Sequence, residues 1–189
     1  MALLTPAALA AMGFASLGEN VCISDKASIY GAERIEIGSH VRIDDFSVIS
    51  AGAGGIKIGS YIHIAAAANI VGAESITFDD FSGLSGRVSV YSSSDDYSGA
   101  TLTNPTVPDA FKSVRSRPVH IGRHVIVGCG AIILPGTHLG EGCAVNALSL
   151  VTGKWPPFTI VGGIPAMRLK DRKQDLLELE RQFLAGLQA

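Results

Sequence analysis

Apolar residues recur every six positions along most of this chain, a spacing that neither common secondary structure keeps. The series runs Ile23, Ile29, Ile37, Ile43, Ile49, Ile58, Ile64, Ile70, Phe78, Leu84 and Val90, then resumes at Ile121, Val127, Ile133, Leu139, Val145 and Val151. Steps of six are interrupted by steps of 8, 9, 8 and 31. An amphipathic helix repeats at about 3.6 residues and a strand at about 2, so the pattern calls for short strands joined by turns. Two residues before the apolar positions stand small or β-branched residues, among them Ala27, Val41, Ser47, Ile62, Ala68, Ser82, Val125, Thr137 and Cys143. Residues two apart in a strand face the same way, so each hexad offers two inward side chains with an outward one between them. Gly or Asp often follows, as at Gly38, Asp44, Gly59, Gly122 and Gly128, where the chain must turn. Three hexads make one triangular coil, and stacked coils bury a continuous core.

With the hexads counted in threes, every longer step falls between the second and third strand of a coil. The extra residues, around 30–34, 50–55, 71–75 and 92–117, therefore project from one corner of the prism. The expected fold is all-β: a parallel β-helix of hexapeptide repeats with a short N-terminal helix, one long extruded loop and a C-terminal helix. The expected division is a helical cap over 1–20, a β-helix over 21–160 carrying the loop 92–117, and a closing segment over 161–189. Thr5 and Pro6 suit an N-cap and a first-turn proline, and Gly13 a helix end. Asp171 to Gln188 carries Leu176, Leu179, Phe183, Leu184 and Leu187 on one stripe, as an amphipathic helix does. The open ends of a solenoid need covers, and these helices can supply them.

Composition narrows the partners. With 15 basic and 17 acidic residues, the net charge of −2 gives no electrostatic case for nucleic acid or an anionic membrane. Cys22, Cys129 and Cys143 cannot all pair and form no CxxC, so a reducing cytoplasm is the simple inference. The apolar N-terminus has no Lys or Arg before Lys26, so it lacks the charged region of a signal peptide. No stretch approaches the ~20 apolar residues of a membrane span.

The third strands turn outward Glu36, Lys57, Thr77, His120 and His138, a polar face. The first strands present Cys22, Arg42, His63, Gly83, Ile126 and Ala144, and the second Ser28, Val48, Asn69, Ser89, Ile132 and Leu150. A monomer would leave Ile126, Ile132 and Leu150 in water. A closed ring of three prisms is the expected assembly.

The hexads, one long loop, and Gly162-Gly-Ile-Pro-Ala166 followed by a basic segment resemble the hexapeptide-repeat acetyltransferases of the serine, galactoside and maltose type. The resemblance runs from about Gly13 to Arg172. Arg42-Ile-Asp-Asp-Phe46, Tyr91-Ser-Ser-Ser-Asp-Asp-Tyr-Ser-Gly99 and Asn104-Pro-Thr-Val-Pro108 resemble a bacterial branch that acts on surface-polysaccharide sugars, including dTDP-4-amino-4,6-dideoxyglucose. The resemblance implies a left-handed helix, a homotrimer, and transfer of acetyl from acetyl-CoA to an amine or hydroxyl of a sugar. It also implies a CoA groove between adjacent prisms, matched here by Cys129, Ala147, Thr152 and Lys154, with Arg168 and Lys170 near the adenosine phosphates. Phosphate needs fixed cationic donors, and a guanidinium offers a planar fork. The branch motifs put Arg42, Asp44, Asp45, Tyr97 and Asn104 at the sugar.

The chain departs from the galactoside enzymes at their catalytic histidine. Aligned on Val90, that position is Asp95, and the 92–117 loop contains no histidine. Acyl transfer needs a group to take the acceptor's proton. His63, outward among Ala65, Ala66, Ala67 and Gly83, and His124, in a turn column with His40, Tyr61 and Phe81, are the expected bases. Asp95 or Asp96, of the same or the neighbouring subunit, would orient the base, with an Asx turn as the other use of this pair. Two further classes stay open: a non-catalytic scaffold, and a zinc protein like the γ-class carbonic anhydrases, which would need His63, His120 and His124 to converge. No metal is expected, because those histidines fall on different faces.

Overall fold

A computed structural model describes residues 2–187 as a left-handed parallel β-helix of about 7 turns. Along the prism every third coil strand joins the same sheet, giving sheets of 7, 8 and 6 strands as the faces of a triangle, parallel but for the last strand of the 8-stranded one. The hexads stack in register: Arg42 pairs with His63, Glu36 with Lys57, and Val48 with Asn69. Inward residues alternate with outward ones, so Ile23, Ile43, Ile64, Leu84, Val127 and Val161 form one buried column beneath the first face. Each such side chain contributes about 1.5–3 kcal/mol on burial. All the smaller insertions leave from the corner between the second and third faces.

Two corners show why the turns hold. Between the third and first faces His40, Tyr61, Phe81 and His124 all have φ near +58°. That left-handed conformation disfavours bulky residues, but here it stacks their rings, with centroids 4.7 Å apart from His40 to Tyr61 and from Tyr61 to Phe81. At the insertion corner the loops lie backbone on backbone. A Cβ on Gly54 would come within 2.3 Å of the Ser75 nitrogen, so only glycine fits.

One inward residue is out of place. Ser82 is 2% exposed and its hydroxyl has no hydrogen-bond partner among the described residues. Ser82→Ala is expected to raise unfolding stability by about 1 kcal/mol, because a buried orphan hydroxyl costs about that much or more. Urea unfolding checks this; a lower midpoint would show that the hydroxyl is satisfied in solution.

The ends differ from the expected division. The first coil strand, Ser16–Leu17, pairs with Ile35–Ile37, so solenoid structure begins before residue 21. Before it lie α1 (Pro6–Ala11), capped by Thr5, whose Leu9 enters the core, and Leu3, bridged antiparallel to Ser24. The boundary at 160/161 falls inside Thr159–Gly163, which continues the first face and pairs antiparallel with Ala166–Asp171. The C-terminal helix α2 (Leu176–Gly186) therefore starts later than Asp171, because that stretch is spent in a strand. Gln188 lies outside the described residues.

The apolar stripe of α2 is not buried as a stripe: Leu179, Phe183 and Leu187 are 63%, 45% and 58% exposed. The corner beneath offers rings and cations instead. Phe183 packs edge-on against Tyr61, and Glu180 bonds Arg123 and His124. Arg172 ties the preceding chain down, donating to the carbonyls of His124 at 2.8 Å and Gly142 at 3.0 Å. The long loop is ordered at its base, where Ser93–Ser94 pairs antiparallel with Arg115–Ser116.

Candidate active site

On the first face, neighbouring rungs bring Arg42 and His63 side by side, with Asp44 at the end of the lower strand. Arg42 Nε donates to Asp44 Oδ1 at 2.7 Å, and His63 Nε2 lies 2.7 Å from Asp44 Oδ2. Burial pushes the Asp44 carboxyl up, but the hydrogen bonds from Arg42 and His63 outweigh it and hold the group below its usual value. Within one chain the carboxylate bonded to His63 is Asp44, and the Asp95–Asp96 pair of the same chain does not reach it. Rungs are about 4.8 Å apart, within side-chain reach, whereas the pair sits on the loop beside another face. Beyond His63 a groove of about 290 Å³ is lined by Ala65, Gly83, Ser85 and Ile126. Ser85 was not anticipated from the sequence. Its signal is a hydroxyl in a turn next to the small residues that make room there.

Beside the second face, a cavity of about 480 Å³ is lined by Asp95, Tyr91, Tyr97, Ile132 and Leu150. The Asp95 carboxylate has no hydrogen-bond or ion-pair partner among the described residues. Asp96 behaves differently. It is 8% exposed and accepts from the Ser98 amide and hydroxyl, both at 2.9 Å, and from Thr101 Oγ1 at 3.1 Å. Those bonds, led by the Ser98 amide, pull its pKa down to about 2. Asp96 is therefore the Asx turn of the loop, its carboxylate held by the loop's own donors. Asn104 shapes the loop likewise, accepting from the Thr106 amide at 3.0 Å.

Asp96→Asn is expected to loosen the loop and speed its cleavage. Because the folded pKa lies below the unfolded value of about 3.9, the Asp96 contribution is intact above that value and is lost as pH falls through about 2. Pepsin cleavage between 93 and 116 at pH 4 and pH 2 checks both. Equal rates for variant and parent at pH 4 would exclude the role.

His124 is closed off. Its Nε2 lies 2.8 Å from Glu180 Oε2, its side chain is 10% exposed, and Phe81 stacks on it. Burial, then the Arg123 charge, pushes its pKa down. Covered by α2, it does not open onto the grooves of His63 or Asp95, so it is not placed to serve as the base. His120 and His138 stack on the third face, 4.6 Å apart. A zinc reading would need His63, His120 and His124, which stand on two faces and a corner.

The remaining expected residues divide by position. Asp45 turns from the groove to accept from Ser24, with Lys26 3.7 Å away. Cys129 and Ala147 lie on successive rungs at the corner between the first and second faces, where Leu148 N donates to Cys129 O at 2.9 Å. Thr152 is at the corner between the second and third faces, and Lys154 pairs with His138 on the third. Arg168 and Lys170 are on the antiparallel strand, exposed, with Arg168 bonded to Asp171 at 2.5 Å. One prism does not bring this set together. Among the described residues no helix is long and apolar enough to cross a membrane.

No family model matches the chain. A dTDP-4-amino-4,6-dideoxy-D-glucose acyltransferase from Escherichia coli is 51% identical over 183 residues, spanning 97% of this chain and 95% of that protein. WbbJ of Escherichia coli strain K12, a putative lipopolysaccharide biosynthesis O-acetyl transferase, is 28% identical over 78% of this chain and 74% of its own. Among solved structures, AntD, an N-acyltransferase from Bacillus cereus in complex with dTDP and 3-hydroxybutyryl-CoA, superposes over 100% of both chains with a TM-score of 0.96 and 41% identity. A variant of AntD in complex with dTDP-4-amino-4,6-dideoxyglucose and Coenzyme A covers 98% of each chain with a TM-score of 0.94.

Proposed function

Because this chain belongs to the hexapeptide-repeat acyltransferase family that includes the dTDP-4-amino-4,6-dideoxy-D-glucose acyltransferases, we propose that it moves an acyl group from CoA to the 4-amino group of a dTDP-linked 4-amino-4,6-dideoxyhexose. The observation that carries this is identity of 51% across 97% of the chain. Acetyl-CoA is the simplest donor.

The charges of the two grooves divide the work. An amino sugar carries a cationic ammonium at one end and an anionic diphosphate at the other. The unpaired Asp95 carboxylate suits the ammonium; the Arg42–His63 face does not, because Arg42 would repel it. We assign Asp95 as the group that takes the amine's proton, a change from the expected His63. The ammonium first gives one proton to solvent; the free amine then attacks the thioester carbon, the C–N bond forms, Asp95 takes a second proton from the nitrogen, and the C–S bond breaks. The proton held by Asp95 then passes to the thiolate, releasing CoA as the thiol.

The split of the CoA set suits a groove between prisms, one supplying Cys129 and Ala147 and its neighbour Thr152 and Lys154. The same arrangement would bring Asp95 of one prism over the first face of the next, and would cover Ile126, Ile132 and Leu150. A homotrimer follows from this reading. The likeness to WbbJ supports a role in bacterial surface polysaccharide. Nucleotide sugars and acyl-CoA are substrates of the cytoplasm, and the reaction is assigned there.

Thiol release from acetyl-CoA and 3-hydroxybutyryl-CoA tests this against dTDP-4-amino-4,6-dideoxyglucose, UDP- and 3-amino counterparts, galactosides and serine. Turnover confined to the 4-amino dTDP-sugar is expected. No turnover and no CoA binding would leave a scaffold.

A further inference from the structure

Two apolar patches of this chain stand in water on opposite sides of the prism. One is on the outer half of the long loop. There Leu102 N donates to Phe111 O at 2.9 Å, and the two side chains, 59% and 61% exposed, border a groove of about 410 Å³. The other is the shoulder of α2 formed by Leu179, Phe183 and Leu187. The loop does not cover the helix of its own chain. Tyr97 and Val114 share a cavity with Ile132 and Leu150, so the loop leans over the second face. The helix lies against the corner between the third and first faces, which is the corner opposite. The two patches are nevertheless level along the prism. Phe183 packs edge-on against Phe81, and Phe81 belongs to the same coil as Tyr91, from which the loop departs.

We propose that the shoulder of α2 is the dock for the outer loop of a second copy of this chain, and that this clasp positions the second copy's Asp95. It rests on the function proposed above, in which Asp95 of one prism comes over the first face of the next. Cyclic symmetry about an axis along the prisms keeps level features level. A loop leaning out from the second face therefore meets the neighbour's first face and, beyond it, the corner that α2 covers. Ten residues lead from Ser94 to Asn104, up to about 33 Å of chain, enough to cross one face. The groove beside Phe111 has room for the Leu179 side chain, and their contact takes apolar surface of both copies out of water. The helix is a firm support, because Glu180 ties it to Arg123 and His124, and Arg172 pins the chain before it. Pairing of Ser93–Ser94 with Arg115–Ser116 holds one end of the segment that carries Asp95. The clasp holds the other, seven residues on at Leu102. Leu179 and Phe111 are positioning residues in this arrangement.

Thermolysin cleavage of the loop, sedimentation velocity and steady-state kinetics test the clasp on the full-length protein. Leu179→Asp is expected to stay trimeric, because Ile126, Ile132 and Leu150 are untouched, and to speed cleavage beside Leu102 about tenfold or more. Its kcat on the 4-amino dTDP-sugar should fall by a factor of about 10 to 100, the cost of a small displacement at the reacting groups, with the KM for acyl-CoA unchanged. Phe111→Ser should do the same, and Leu179→Met should behave as the parent. The double variant should be no worse than either single one, as for residues that share one contact. Co-expressing Leu179→Asp chains with Asp95→Asn chains should recover about a quarter of the parent turnover, because random assortment in a ring joins an intact loop to an intact helix at about one interface in four. Parent rates of cleavage in both Leu179→Asp and Phe111→Ser would overturn the clasp while leaving the function standing. A loss in Leu179→Asp that co-expression does not rescue would also overturn it, by placing the helix's effect within one chain. A parent without turnover on any amino sugar would strike the function, and the cleavage rates would then decide the clasp.

Discussion

Asp95→Asn is expected to lower kcat on the amino-sugar substrate by a factor of about 10² to 10⁴, with the melting temperature and the KM for acyl-CoA unchanged. The carboxylate lines the second-face cavity without a partner among the described residues, so its replacement breaks no bond among them. An amide can still accept a hydrogen bond from the amine but cannot take its proton, so the loss should fall on kcat rather than KM. His63→Ala is the contrasting variant. Because His63 lines the first-face groove beside Arg42, its removal should raise the sugar KM and leave kcat within a few-fold. If His63→Ala abolished kcat and Asp95→Asn did not, the base would be His63, oriented by Asp44 at 2.7 Å. Steady-state kinetics on both variants decide it.

Ile126→Glu is expected to convert the protein to a monomer of 19.6 kDa and to abolish turnover together with assembly. Ile126 is 49% exposed on the first face, and Ile132 and Leu150 are the apolar outward residues of the second. Burying an unpaired carboxylate costs several kcal/mol, and a closed ring would incur that cost at every copy of the interface. In the monomer the side chain remains in water, so the prism should stay folded. Sedimentation velocity and thiol release read the two effects. A monomer that retained full activity would show that one prism holds the whole site; a variant that still formed trimers would move the interface elsewhere.

Much of the fold was legible because a solenoid repeats by translation. Once the step of six identifies the strands, the neighbour of Arg42 on the next rung must be His63, and His40, Tyr61, Phe81 and His124 must form a column. No tertiary knowledge is needed, since each contact is the period applied once more. For the same reason the insertions could be assigned to one corner and Ile126, Ile132 and Leu150 to the outside.

The site was less legible because it is built from contacts that break the period. Asp95 and Asp96 are adjacent in sequence and alike in chemistry. Only the loop's path gives Asp96 the Ser98 amide and leaves Asp95 to the cavity. His124 was a reasonable base until α2 brought Glu180 onto it from 56 residues away. The length of Ala166–Asp171 delays that helix, and its cause is a strand pairing with the end of the prism. Sequence alone determined the prism and its faces, through a periodicity that burial requires, while the class of chemistry came from the resemblance its motifs carry to a known family. Tertiary structure decided which carboxylate is free, which histidine is sealed and which donors share Asp44, because those outcomes depend on where non-repeating segments come to rest.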